Sequence, residues 1–159
     1  MSRPIEDPSA AVSAARLATL YAEQRVAMVR LAHLLVGSNA IAEELVQDAF
    51  ASLLGKLDRA DNPAAYLRTT VVNRCRSHLR RRRLEDASRS VEARVTLPAD
   101  LDETWEALGR IPEKRRVALV LRFYEDLSID EIGRVMRCRP GTVKSLIHRG
   151  LASLRRELS

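Results

Sequence analysis

The stretch from Leu127 to Leu158, LSIDEIGRVMRCRPGTVKSLIHRGLASLRREL, constrains this chain more than any other. Ser128, followed three residues later by Glu131, is a capping box and predicts a helix start. Ile129, Ile132, Val135 and Met136 give that helix an apolar face. Arg137, Cys138 and Arg139 break the pattern. Pro140 suits the first turn of a second helix, where its missing N–H would be unpaired anyway. In that helix Val143, Ile147, Leu151 and Leu154 recur at spacings of four, four and three, which predicts a buried stripe. The opposite face carries Lys144, Ser145, His148, Arg149 and Arg155. From Arg137 to Arg156 inclusive there are six Lys/Arg and no Asp or Glu. A short helix, a turn and a second helix with a cationic face is the helix-turn-helix arrangement, whose second helix enters the major groove of DNA. The plainer reading is a helical hairpin with a solvated basic face. Because the cap, the proline, the apolar spacing and the missing acids coincide, DNA binding is favoured.

The 159 residues allow one or two small domains. Apolar residues make up 46% but aromatics only 4%, so the cores must be aliphatic, which fits an all-α protein. The net charge of +6 favours polyanionic partners. It is distributed unevenly: residues 1–83 hold 13 Lys/Arg against 8 Asp/Glu, residues 84–104 hold 2 against 6, and residues 105–159 hold 12 against 7. A basic–acidic–basic layout predicts two nucleic-acid-binding domains and a connector. Cys75 and Cys138 form no disulfide framework, as expected in a reducing, cytoplasmic setting. The N-terminal residues contain acids and prolines and do not read as a signal peptide. No run approaches the ~20 apolar residues of a membrane span.

Residues 1–12 read as a loose arm. From Val12 to Val36, Leu17, Leu20, Tyr21, Met28, Leu31, Leu34 and Leu35 fall on one side of a helix that Gly37 ends. Ser38 or Asn39 caps the next helix. Its buried stripe is Ile41, Leu45, Ala49 and Leu53, with Phe50, Leu54 and Leu57 alongside. Its other face shows Glu44, Gln47 and Asp48, which by themselves read as a solvated surface. Asn62-Pro63 starts a third helix. There Leu67, Val71, Cys75 and Leu79 step by four along a buried face, while Thr69, Asn73, Arg76, Ser77 and Arg80 line another. Tyr66 to Arg83 holds seven arginines and no acid. Four consecutive arginines, Arg80–Arg83, repel one another unless an anion lies near, and a phosphate backbone answers that need through counterion release. Residues 84–103 lack periodicity and read as an acidic flexible linker. A helix from Thr104 with Trp105 and Leu108 then reaches Ile111. Pro112 opens another, with Val117, Val120, Leu121 and Tyr124 inward.

Four segments together resemble a bacterial RNA polymerase sigma factor of the extracytoplasmic-function type: AEELVQDAF at 42–50, NPAAYLRTTVVNRCRSHLRRRR at 62–83, LGRIPEKRRVALVLRFYEDLSIDEIGRVM at 108–136 and PGTVKSLIHRGLASLRREL at 140–158. The resemblance implies two small helical domains: a region 2-like bundle at 13–83 and a region 4-like helix-turn-helix domain at 104–159. It implies docking of both domains on the β′ and β subunits of core RNA polymerase, recognition of −35 and −10 promoter elements, and help in melting the DNA. Glu44, Gln47 and Asp48 match the family's polymerase-docking face. Thr69, Asn73, Arg76, Ser77 and Arg80 match the helix beside the −10 element, with Asn73 near a flipped base. Arg139, Thr142, Lys144, Ser145, His148 and Arg149 match positions at the −35 major groove or its phosphates. Many such factors are held by an anti-sigma protein, which makes one an expected partner. Three departures stand out. Arg139 replaces a capping Ser or Thr, Leu146 replaces a backbone-contacting Arg, and Gly133 with Met136 replaces Ala and Leu in what reads as conservative packing.

A stand-alone helix-turn-helix regulator would account for Leu127–Leu158 but not for the arginine-rich helix or the face at Gln47 and Asp48. An enzyme or metalloprotein is the other class to weigh. Cys75 and His78 are three apart, but Cys75 falls on the buried stripe, no second pair has zinc spacing, and no phosphate-cradling loop or nucleophile–base motif appears. No catalysis, metal or cofactor is expected.

Overall fold

The computed structural model describes residues 7–86 and 103–159, and every regular element among them is helical. The first half is a three-helix bundle of α1 (Pro8–Val36), α2 (Asn39–Ser52) and α3 (Pro63–Asp86). The second half comprises α4 (Glu103–Gly109), α5 (Glu113–Leu119), a π-helical turn (Val120–Tyr124), α6 (Ile129–Met136) and α7 (Pro140–Leu158).

Local chemistry sets most boundaries. α1 begins within the expected arm, because Asp7 accepts a hydrogen bond from the Ser9 amide (3.0 Å) and Pro8 occupies the first turn. The remainder of the arm, residues 1–6, lies outside the described residues. Gly37 ends α1 in the left-handed conformation (φ 77°), its N–H bonded to the His33 carbonyl at 2.8 Å. Ser38 caps α2 through the Ile41 amide (3.3 Å), and Asn62 caps α3 through the Ala65 amide (3.1 Å). α3 runs to Asp86, past the expected end of the first domain, and residues 87–102 of the expected linker lie outside the described residues.

The first bundle buries most of its predicted stripes, with Leu17, Leu34, Ile41 and Leu79 half-buried. Leu31, Leu35, Leu53, Leu67, Val71 and Cys75 are fully buried. Leu54, expected alongside the α2 stripe, is exposed, because the helix ends at Ser52 and the chain turns there. Tyr21 is partly exposed and sets its ring edge-on to Phe50, 5.0 Å between centroids.

In the second half Val117, Val120 and Leu121 point inward as expected, but Tyr124 does not. The π turn is the reason. The Glu125 amide bonds to the Val120 carbonyl, and this wider turn shifts its own last residues off the helical period and leaves Phe123 and Tyr124 outside. The stripe on α7 is also altered. Val143 is fully buried, but Ile147, Leu151 and Leu154 are only half-buried, and Gly150 and Ser153 are buried instead. A Cβ at Gly150 would sit 2.9–3.2 Å from the side-chain carbons of Leu119, so α5 and α7 approach through that glycine. Gly150→Val should therefore overpack this contact and cost about 1–3 kcal/mol. Calorimetry should show a fall in Tm of several degrees, and an unchanged Tm would mean the two helices separate freely.

His33 and His78 give the fold a pH dependence. Burial holds His33 below its ordinary pKa, against a smaller opposing effect of its hydrogen bond with Asn39. Burial also lowers His78, helped by Arg82 and Arg81 and opposed by Glu44 and Glu85. As pH falls through 6.5, the ordinary histidine value, the unfolded chain takes up protons that the folded chain resists. Stability is therefore fully present above that pH and declines below it. Tm should drop on going from about pH 7.5 to 5.5, and His33→Gln should flatten the drop. An identical slope in the variant would remove His33 from the account.

The two halves do not stand apart. Their buried side chains form one connected cluster running from Leu20 to Val143. α3 meets α5 and α6, and α1 meets α5 and the π turn.

Candidate nucleic-acid interface

The helix-turn-helix is built as the sequence predicts at its start. Ser128 accepts the Glu131 amide at 3.1 Å, and its hydroxyl donates to the Glu131 carboxylate at 3.2 Å. The turn that follows is tight. Arg137 takes the left-handed conformation (φ 54°, ψ 48°), and the Cys138 amide bonds to the Gly133 carbonyl at 3.0 Å. A non-glycine residue pays roughly 1 kcal/mol for that backbone. A Cβ at Gly133 would lie 2.8 Å from the Cys138 carbonyl oxygen. Glycine for alanine is thus not neutral packing in this chain: it lets the turn close onto α6. Arg139 stands at the N-cap of α7 and makes no side-chain capping bond, which leaves its guanidinium free to face outward.

All six residues expected at the −35 element lie on the outside. Arg139 is exposed ahead of α7, and Thr142, Lys144, Ser145, His148 and Arg149 are exposed along it. Leu146 packs against the core rather than facing outward. Behind this surface the Ser153 hydroxyl donates to the Arg149 carbonyl (3.0 Å) and accepts from Arg115 (3.1 Å), which ties α7 to α5.

The arginine-rich helix α3 is divided among three environments. Thr69 and Asn73 are half-buried, and Ser77 and Arg80 are exposed, along one open side. Arg76 borders that side but is buried. Its Nε donates to Glu113 Oε1 at 3.1 Å, and a terminal nitrogen reaches the Met136 carbonyl at 3.3 Å. The run Arg80–Arg83 does not act as one patch, since successive helical residues turn through about 100°. Arg81 and Arg82 line a groove between α2 and α3, while Arg83 lies 3.8 Å from Glu113 Oε2. Arg68 approaches Glu125 at 3.6 Å; burial raises the Glu125 pKa, and Arg68 opposes that rise.

Glu44, Gln47 and Asp48 share the exposed side of α2. Glu44 and Asp48 line the groove with Ile41, Leu45, His78, Arg81, Arg82 and Glu85. The sequence reading missed the participation of His78, Arg81 and Arg82, because nothing local to either helix reports which faces oppose each other. Cys75 and His78 point to different places: the thiol lies in the core, where burial pushes it up to about 12, and the imidazole lines the groove. Among the described residues no cluster of metal-ligating side chains occurs, and no helix is long and apolar enough to cross a membrane.

Comparison with known proteins accounts for both halves. Residues 20–85 match the Sigma-70 region 2 family and residues 101–154 match Sigma-70, region 4. An RNA polymerase sigma-E factor from Streptomyces avermitilis is 34% identical over 141 residues, covering 83% of this chain and 79% of its own length. The ECF RNA polymerase sigma factor EcfG from Rhodopseudomonas palustris is 30% identical, covering 76% of this chain and 72% of its own. Among solved structures, the sigma factor RpoE in complex with the anti-sigma factor NepR from Bartonella quintana superposes with a TM-score of 0.73. It is 26% identical, over 88% of this chain and 96% of that one.

Proposed function

The chain belongs to the sigma-70 family as an RNA polymerase sigma factor of the extracytoplasmic-function type, and from that premise we propose how its residues divide the work of promoter-specific initiation. The single observation that carries the reading is the presence of both regions in order in one chain, with the outer face of α7 exposed. A stand-alone helix-turn-helix regulator has no use for a region 2 bundle.

The first domain, residues 13–83, docks on core polymerase through Glu44, Gln47 and Asp48, whose acidic and amide groups suit a basic partner surface. Thr69, Asn73, Ser77 and Arg80, with Arg76 at their border, serve the −10 element. Base flipping there costs a few kcal/mol of unstacking, which a polar pocket and nearby cations offset. The second domain, residues 104–159, reads −35 with Thr142, Lys144, Ser145, His148 and Arg149, and Arg139 adds a phosphate contact. Residues 84–103 connect the two. The protein lends polymerase its promoter choice and performs no chemistry of its own, and that work lies in the cytoplasm with the polymerase. An anti-sigma protein is the fitting regulator, since the RpoE neighbour was solved with one.

Transcription from a randomised promoter library by core RNA polymerase, with and without the protein, tests the whole reading. Discrete protein-dependent start sites sharing two upstream elements are expected; specific duplex binding by the protein alone without added starts would move the assignment to the regulator class. Once the promoter is known, Arg149→Ala should cut initiation about tenfold and relax base preference at one −35 position, the loss of one base-reading contact. A uniform loss with unchanged base preference would reassign Arg149 to the phosphates.

A further inference from the structure

We propose that the turn of the helix-turn-helix carries a phosphate clamp: Arg134, Arg137 and Arg139 gather around one pocket and grip a backbone phosphate of the DNA beside the bases that α7 reads. The clamp rests on the proposed entry of α7 into the −35 major groove and adds a site that holds the duplex without reading it. A pocket of about 510 Å³ opens on the turn, lined by these three residues together with Asp130, Cys138 and Pro140. All three arginines are exposed. Among the described residues none of them takes part in an ion pair. Asp130 is the one carboxylate in the lining, so the pocket keeps a cationic excess. Three guanidinium groups around one small space repel one another, and a bound anion relieves that repulsion.

The backbone shows that this gathering is held against a local preference. Arg137 ends α6 at φ 54° and ψ 48°, a region that glycine enters freely and an L side chain resists. Glycine is also the usual residue just past a helix end. A strained arginine where glycine would be relaxed points to a task for its side chain. Gly133 serves the same closure from α6, since the Cys138 carbonyl oxygen lies 2.8 Å from where a Cβ would stand. The turn thereby folds back on α6 and brings Arg137 and Arg139 to the pocket that Arg134 lines. Their place in the motif selects the ligand. In a helix-turn-helix the first helix crosses the DNA backbone while the early residues of the second face base edges. Arg134 and Arg137 belong to the first helix and the turn, so they meet phosphates. The uncapped start of α7 at Arg139 adds the partial positive charge of a helix N-terminus. The planar fork of arginine suits two phosphate oxygens at once.

Holoenzyme binding to a labelled promoter duplex, followed by fluorescence anisotropy from about 50 to 200 mM salt, tests the clamp. Arg137→Gly relaxes the backbone and removes the charge, so two readouts should move in opposite directions. The Tm of the free protein should rise. Promoter affinity should fall about three- to tenfold, equally across −35 sequences, and the slope of log K against log salt should shrink by about one. Arg134→Gln leaves the turn alone and should lower affinity and slope in the same way. Arg156→Ala, exposed in the last turn of α7, should change neither, and a loss equal to that of Arg137→Gly would reduce the effect to general charge attraction and overturn the clamp. Unchanged affinity and slope in Arg137→Gly and Arg134→Gln, while Arg149→Ala still weakens initiation, overturn the clamp and leave the −35 reading standing. If Arg149→Ala is also without effect, region 4 docking itself fails and the clamp with it. Saturable binding of inorganic phosphate to the free protein, lost in Arg137→Gly with no change on DNA, would give the pocket to a free anion and overturn its role on the duplex.

Discussion

Asp48→Arg is expected to weaken binding to core RNA polymerase by roughly tenfold to a hundredfold, about 1.4–2.8 kcal/mol, while the fold persists. Asp48 is exposed on α2, one turn after Glu44 and beside Gln47, so its own desolvation contributes nothing to folding. The magnitude comes from replacing an attraction with a like-charge contact at a complementary interface, which costs more than deleting one charge. Arg81 and Arg82 across the groove add some intramolecular repulsion in the variant, and a circular dichroism melt measures that separately. A fluorescence titration with labelled core enzyme reads the affinity. A native melt with unchanged affinity would take α2 out of the docking face.

Asn73→Ala should lower open-complex formation by about tenfold to a hundredfold while leaving −35 binding intact. Asn73 sits between Thr69 and Ser77 on the open side of α3, half-buried, where an amide can both donate to and accept from a base edge. A buried base edge left without its partner loses about 1–3 kcal/mol. The change falls on melting, because an unstacked base is stabilised only after it leaves the duplex. α7 lies in the other domain and keeps its contacts. Permanganate reactivity of the melted strand and protection of the −35 element, measured on the same complexes, separate the two steps. Equal melting by variant and parent would show that Asn73 only borders the site.

Both predictions depend on residues whose exposure follows from short-range pattern. The four-residue spacing of Leu67, Val71 and Cys75 settles which side of α3 is buried, and the opposite side follows from helix geometry. The same logic located Glu44, Gln47 and Asp48, and placed Lys144, Ser145, His148 and Arg149 outward. It failed at Tyr124, where one π turn broke the period, and at Ile147, Leu151 and Leu154, where a close helix contact at Gly150 replaced a stripe of large side chains.

What the sequence determined by itself is whatever depends on neighbours within about one helical turn: caps at Ser38, Asn62 and Ser128, the glycine stop at Gly37, the amphipathic faces, and the helix-turn-helix. What only the tertiary structure decided is the fate of individual charges. Arg76, Arg80, Arg81 and Arg83 belong to one cationic helix whose sequence does not say which of them meets a carboxylate. In the fold Arg76 is buried on Glu113, Arg80 is exposed, Arg81 lines a groove with Glu44 and Asp48, and Arg83 lies near Glu113. The partners come from positions up to 60 residues away. A guanidinium has no preference written in its own segment, and its energy is set by which carboxylate, carbonyl or solvent the packing of whole helices brings within a few ångströms.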